Sequence, residues 1–249
     1  MAVFDFLQIE TRMAPGNRIE ARATGILGPH LQSFVDQFFG VLNSLKVIAK
    51  KGEANVYNLY NPPQPTPAGM RALERKVKEV IFRRIFPATA NLAITHRCQC
   101  KCVHCSAEPF VDPKRQELTT EDLKTVIDGA LDLGASLVIL VGGEPLLRKD
   151  LCELIAHIDR DKAMPMIFTN GLLLEQAAEQ LAEAGLQTLN ISIDSSEAAQ
   201  HDEFRGVPRL YEHAFRGAAK CRGLGILTGI STYATGQNLR DGSLERLLR

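Results

Sequence analysis

Apolar and polar residues alternate along this chain with two different periods, and the change falls near residue 90. From Leu31 to Ile48 the apolar positions Leu31, Phe34, Val35, Phe38, Phe39, Val41, Leu42, Leu45, Val47 and Ile48 recur at helical spacing. They predict a helix with a wide apolar arc, broken by Asp36, Gln37 and Asn43. Residues 1–30 are mixed and give no assignment. The stretch Asn61-Pro-Pro-Gln-Pro-Thr-Pro67 reads as a stiff linker, because prolines fix φ and remove backbone donors. A second amphipathic helix is predicted over 70–85. Leu73, Val77, Val80, Ile81 and Ile85 form one face of it; Arg71, Arg75, Lys76, Lys78, Arg83 and Arg84 form the other. Residues 1–86 are thus expected to be a mainly helical extension ahead of a second unit, 87–249.

In that second unit short apolar runs alternate with helical patterns. Strands are predicted at 91–96, 137–141, 164–169, 188–194 and 228–234. Thr119 with Asp122 forms a capping-box signature ahead of Leu123, Val126, Ile127, Ala130 and Leu131. Asp150 is placed to cap a helix bearing Leu151, Leu154, Ile155 and Ile158, and Gly185 to end the helix lined by Leu174, Ala177, Ala178 and Leu181. Tyr211, Ala214, Phe215 and Ala218 line a fourth helix. Repeated βα units build a parallel sheet, since a parallel connection needs a helix-sized crossover. In Thr188-Leu-Asn-Ile-Ser-Ile-Asp194 one face is apolar and the other carries Asn190, Ser192 and Asp194. A strand covered on both faces would be almost wholly apolar. The expected fold class is therefore α/β, a partial (β/α) barrel with a polar interior.

Composition narrows the function classes. The chain has 249 residues, 45% of them apolar, and a formal net charge of zero. Such a balance argues against a globally basic nucleic-acid binder. The start, Met-Ala-Val-Phe-Asp-Phe-Leu, lacks the basic and apolar regions of a secretory leader, and no apolar run is long enough to span a bilayer. A reducing cytoplasm is the expected compartment.

The chemistry concentrates where strands end. Cys98, Cys102 and Cys105 stand at C-x3-C-x2-C spacing just after Asn91-Leu-Ala-Ile-Thr-His96. Three thiolates on one tight loop can hold three irons of a cubane cluster and leave the fourth iron open to a small molecule. Two other readings exist. Cys98, Cys100, Cys102 and Cys105 together could form a zinc knot, but the second, distant knuckle of such sites is missing. A disulfide pair does not suit a chain without an export signal. Cys100 reads as a spare thiol, and Cys152 and Cys221 as small core residues. The next strand runs into Gly142-Gly143-Glu144-Pro145, the third into Thr169-Asn170-Gly171 and the fourth into Ser192 and Asp194. In βα barrels these ends form the active-site face.

Over residues 90–238 these motifs resemble the radical S-adenosylmethionine (SAM) enzymes, in particular the branch that modifies molybdenum cofactor, haem and peptides. The resemblance implies a [4Fe–4S] cluster on Cys98, Cys102 and Cys105, with SAM on the open iron. It implies that the turn Gly142, Gly143, Glu144, Pro145 receives the SAM amino group and that His104 lies near the adenine. Thr169, Asn170, Ser192 and Asp194 would hold ribose and carboxylate, and Thr228-Gly-Ile-Ser231 would be the adenine-side strand. His201, Asp202 and Arg205 match a segment seen after the fourth strand, with no role assigned. Taken singly, His104 is equally a packing residue, Thr169 and Asn170 equally turn formers, and Asp194 equally a helix cap.

The implied activity is reductive SAM cleavage and hydrogen abstraction from a peptide or cofactor precursor, with flavodoxin or ferredoxin as electron donor. A non-catalytic iron–sulfur scaffold or redox sensor is the alternative. Five βα units stand where the family has six, so the unit is expected to be incomplete at its C-terminal end. The helices at 31–48 and 70–85 are expected to pack against the barrel, with docking on an anionic membrane as the less favoured reading.

Overall fold

The structure, a computed structural model, describes residues 8–110 and 116–248. Residues 1–7, where the absence of a leader was read, lie outside the described part.

Among the described residues the N-terminal region opens with a hairpin that periodicity did not reveal. Strand β1 (Gln8–Ala14) pairs antiparallel with β2 (Arg18–Thr24). The turn between them is made by Pro15, Gly16 and Asn17, the last two with positive φ. Helix α1 (Gly28–Ser44) lies against β2. Its polar interruptions have a purpose. Gln32 accepts from Ala23 N at 2.7 Å and donates to Ala21 O, while Asn43 accepts from Ile19 N at 2.8 Å and donates to Ile19 O. Two side-chain amides thus pair the free edge of β2 as a third strand would. The helix is shorter than its apolar run predicts. It stops at Ser44, because Ile48 N bonds Val56 O and the chain turns into a second hairpin, β3 (Ala49–Lys51) and β4 (Ala54–Val56).

The proline-rich stretch is packed rather than free: Gln64 and Asn55 exchange backbone hydrogen bonds at 2.7 and 2.8 Å. Thr66 then caps α2 (Pro67–Phe82), accepting from Gly69 N. Ile19, Val35, Phe39, Leu73 and Val77 share one small core. The apolar face read over 70–85 does not stay buried, however. Beyond Val77 its members Val80, Ile81 and Ile85 point to solvent, which corrects the expectation that this helix packs along its whole length.

The second region is a five-stranded parallel sheet in the order β5 (Thr89–Thr95), β6 (Leu137–Gly142), β7 (Met164–Thr169), β8 (Thr188–Ser192), β9 (Leu227–Ser231). Crossover helices are α3 (Thr120–Asp132), α4 (Leu151–His157), α5 (Leu174–Glu183), α6 (Ala198–Arg205) and α7 (Leu210–Gly223). Two short helices follow, α8 (Gly236–Arg240) and α9 (Ser243–Leu248).

The main helices pack on one face only. Val138, Leu140, Ile167, Leu189 and Ile191 of the strands meet Ile127, Leu154, Ile155, Leu174 and Leu181 of the helices in one core. The opposite face holds Leu137, Ile139, Met164 and Met166, with Val141, Phe168 and Leu59 from the N-terminal region against them. One-sided cover with an interior face is the partial-barrel arrangement. Asn190 on that inner face donates to Tyr60 Oη at 3.1 Å. The capping box at Thr119 and Asp122 is formed, and Gly185 takes positive φ after α5. Asp150 does not cap α4: its carboxylate is taken by Arg148 and Thr120 instead.

Candidate functional site

The cysteine loop leaves the end of β5 and is tied down at several points. At its root Gly143 N donates to Thr95 O and Glu144 N to Arg97 O, both at 2.8 Å. Further along, Lys101 N and Val103 N donate to Arg205 O and Phe204 O at 3.0 Å, so the end of α6 runs beside the loop like a paired strand. Gly142 and Gly143 are required by this closeness. A Cβ on Gly142, whose φ is +145°, would sit 2.1 Å from Thr95 O, and one on Gly143 would sit 2.3 Å from Arg97 O. No side chain fits there.

The loop opens onto a cleft of about 1060 Å³. Cys98, Cys102, Cys105 and His104 line it, as do Gly142, Gly143, Thr169, Asn170 and Ser192. The strand ends that the sequence marked are therefore brought together. All six cysteines are free thiols, so no disulfide forms in the loop. Cys152 and Cys221 sit far along the chain in or against the helix-side core.

Electrostatics separate the four loop thiols. Hydrogen bonding from Cys100 lowers Cys98 to about 6 and Cys102 to about 7, while the same contacts raise Cys100 itself. Asn170 Nδ2 and the Arg205 guanidinium add to the lowering at Cys98. Cys98 and Cys102 are thus shifted toward the thiolate, the form that binds metal, and Cys100 away from it. Among the described residues no group of three or more His, Cys, Asp or Glu is arranged around a single metal ion. The donor set fits a cluster on other grounds: soft thiolates on one loop, two of them acidified, facing an open cleft.

Three marked residues are not part of the cleft wall. Glu144 is wholly buried, its carboxylate accepting from Leu146 N at 3.0 Å, Thr169 Oγ1 at 2.9 Å and Asn170 N at 2.7 Å. It braces the Gly-Gly turn against the end of β7, and burial pushes its pKa up to about 7. Pro145 is buried and starts the short turn that follows. Asp194 also faces away from the cleft. Its oxygens accept from Arg205 Nε at 2.7 Å and Nη2 at 3.0 Å, with His104 Nε2 3.7 Å away.

Arg205 is the residue that sequence reasoning left without a role. It is 8% exposed, lines the cleft, and keeps Nη1 clear of the Asp194 pairing. The signal was present in the spacing of His201 and Arg205, one helical turn apart. His201 Nδ1 accepts from Asp194 N at 3.1 Å, so both hold the same carboxylate-bearing turn. Asp202 accepts from Tyr211 N at 2.9 Å and from Arg209 N, which anchors the start of α7. Tyr233, also unmarked, stands with its ring 4.7 Å from that of His104.

Comparison with known proteins places the chain in a family. Residues 92–248 match the family model described as Radical SAM superfamily. The chain is 38% identical over 150 residues to the "AdoMet-dependent heme synthase" of Nitratidesulfovibrio vulgaris, covering 59% of this chain and 41% of that protein. It is 42% identical over 132 residues to the "GTP 3',8-cyclase" of Marinobacter nauticus, covering 50% of this chain and 38% of that one. The chain thus spans about two-fifths of the length of these relatives. Among solved structures, Streptococcus suis SuiB bound to precursor peptide SuiA superposes with a TM-score of 0.56 at 18% identity, over 97% of this chain and 60% of that one. At that identity the likeness is one of fold.

Proposed function

The chain belongs to the radical SAM superfamily, and from that premise we propose that it binds a [4Fe–4S] cluster through Cys98, Cys102 and Cys105 and cleaves SAM reductively. When bound, cluster and SAM supply the one-electron chemistry that yields a 5′-deoxyadenosyl radical able to take hydrogen from an unactivated C–H bond. The observation that carries the reading is the cleft itself. The four loop thiols, Cys100 among them, a glycine-rich turn, two polar strand ends and a buried guanidinium share its wall.

Each group has a task that its surroundings support. Cys100 lies within hydrogen-bond reach of Cys98 and Cys102, and their proximity pushes its pKa up while lowering theirs, which supports reading it as the spare thiol. Arg205, fixed by Asp194 through Nε and Nη2, lines the cleft and suits the SAM carboxylate. Asp194 is then a positioning residue. Thr169, Asn170 and Ser192 offer hydroxyl and amide groups to the ribose and the amino-acid end. The Gly142–Gly143 backbone approaches closely enough to receive the amino group, and the Glu144 carboxylate acts by bracing this turn. His104, its ring 4.7 Å from Tyr233 and tilted by 45°, lines the cleft where an adenine could lie. Electrons come from a flavodoxin- or ferredoxin-type donor in a reducing cytoplasm.

The substrate is a cofactor precursor or a peptide. The relatives found by sequence are named for haem synthesis and GTP cyclisation, which favours the cofactor precursor; the peptide-bound neighbour speaks for the fold alone.

The test is anaerobic reconstitution with iron and sulfide, reduction, and measurement of 5′-deoxyadenosine. Wild type is expected to produce it. Cys98→Ala, Cys102→Ala and Cys105→Ala each lose iron and activity, and Cys100→Ala keeps both. A cluster without SAM cleavage in the wild type would make the chain an iron–sulfur scaffold instead. Loss of the cluster in Cys100→Ala would overturn the ligand assignment.

A further inference from the structure

Helix α2 divides at Val77. Leu73 and Val77 are buried, but Val80, Ile81, Phe82 and Ile85 are 65%, 43%, 47% and 95% exposed. Arg83 and Arg84 between them are exposed as well. Residues 80–85 are therefore an unbroken exposed run of four large apolar side chains and two guanidiniums. No acidic residue occurs in the sequence between Glu79 and Glu108. Single exposed leucines are ordinary on a protein surface, but a contiguous apolar corner is not.

A second feature adjoins it. Arg71, Arg75 and Lys78, with Glu74, Asp132 and Phe86, line a pocket of about 140 Å³ between α2 and the end of α3. Arg71, Arg75 and Lys78 face Glu74 and Asp132 there; Arg75 also pairs with Glu79 at 3.9 Å, and Asp132 with Lys162 at 3.6 Å. Arg71 gives Nη2 to Leu131 O at 2.6 Å, while its Nη1 is buried without a hydrogen-bond partner. Positions 71, 75, 78 and 82 follow one side of the helix, so Phe82 continues the pocket's face toward the exposed run.

The chemistry of this corner selects its occupant. A protein surface closing over residues 80–85 would strip water from both arginines and would have to supply a carboxylate for each. A two-fold contact between copies would gather four guanidiniums in one seam, with no acidic residue between Glu79 and Glu108 to pair them. A bilayer interface takes apolar side chains into the acyl boundary and leaves guanidiniums among the phosphates. We propose that residues 80–85 together with the Arg71–Arg75–Lys78 pocket form a docking surface for an anionic phospholipid bilayer, with the pocket receiving a headgroup phosphate. This goes beyond the SAM reading and does not depend on it. Because residues 80–85 precede β5, whose seven residues run about 20 Å to the cysteine loop, docking leaves the cleft open on the side away from the lipid. No helix among the described residues is long and apolar enough to cross a membrane, so the contact is peripheral.

The experiment is co-sedimentation of the whole chain with phosphatidylcholine vesicles, with and without phosphatidylglycerol. The chain should pellet with the anionic vesicles at low salt, remain in solution with phosphatidylcholine alone, and be released by added salt. Ile85→Asp removes no packing and should weaken binding at least about tenfold at unchanged thermal midpoint. Arg83→Glu with Arg84→Glu should do the same and tests the charge independently of the apolar insertion. No pelleting with phosphatidylglycerol vesicles at low salt would overturn the proposal, as would binding as tight as wild type by both variants. A wild-type dimer that Ile85→Asp dissolves would also overturn it, assigning the corner to a second copy.

Discussion

Replacing Glu144 by glutamine should turn a pH-dependent stability into a flat one. The wild-type carboxylate is fully buried, and burial outweighs its three donors to raise its pKa from 4.5 to about 7. A folded value above the unfolded one means that the group's contribution is fully present below about pH 4.5 and is lost as pH rises through 7. At about 1.4 kcal/mol per unit, the swing is about 3 kcal/mol. Glutamine cannot titrate. Its oxygen can take Asn170 N and its NH2 can donate to Thr169 Oγ1, but that NH2 then faces Leu146 N–H. One unpaired buried donor costs roughly 1–3 kcal/mol. The variant should therefore be less stable than wild type by about 1–3 kcal/mol near pH 5, and the gap should close or reverse near pH 8. Urea unfolding of cluster-free protein across that range measures it. Parallel stability curves for the two proteins would refute the reasoning, because they would mean that Glu144 carries the same charge folded and unfolded.

Two further substitutions probe the frame of the site. Gly143→Ala places a Cβ 2.3 Å from Arg97 O and 2.8 Å from His96 O, so the root of the cysteine loop must move. It should cost about 1–3 kcal/mol and lower iron incorporation, whereas Gly40→Ala, with open space around it, should not destabilise; equal effects in unfolding and iron assays would contradict the close-approach account. Asp194→Asn leaves Arg205 buried without its counter-charge and should cost about 3–5 kcal/mol with weaker SAM binding by calorimetry. The double variant Asp194→Leu/Arg205→Met should recover much of the stability and none of the SAM affinity.

The barrel was legible because its signals are local. Strand β7 falls where its apolar run predicts, and β5, β6, β8 and β9 within a few residues of it. The N-terminal region was less so. The pattern over 31–48 merges α1 with the entry to β3, because apolar residues continue across a boundary that only the pairing of Ile48 with Val56 creates. The hairpin β1–β2 escaped although Arg18–Thr24 alternates polar and apolar, because its apolar positions are mostly alanines and its edge is covered by Gln32 and Asn43, polar residues on a helix.

By itself the sequence determined the cysteine spacing, the glycines that follow the second barrel strand, and the one-sided polarity of β8, since each is a matter of which residues stand at which intervals. Tertiary structure decided which of those groups face the cleft. It turned Glu144 and Asp194 into braces, brought Arg205 from a helix end to the cleft wall, and left the distal turn of α2 uncovered. The physical reason is that a side chain's partners here come from strands and helices tens of residues away, and charge, burial and hydrogen bonding are set by those partners rather than by neighbours in the chain.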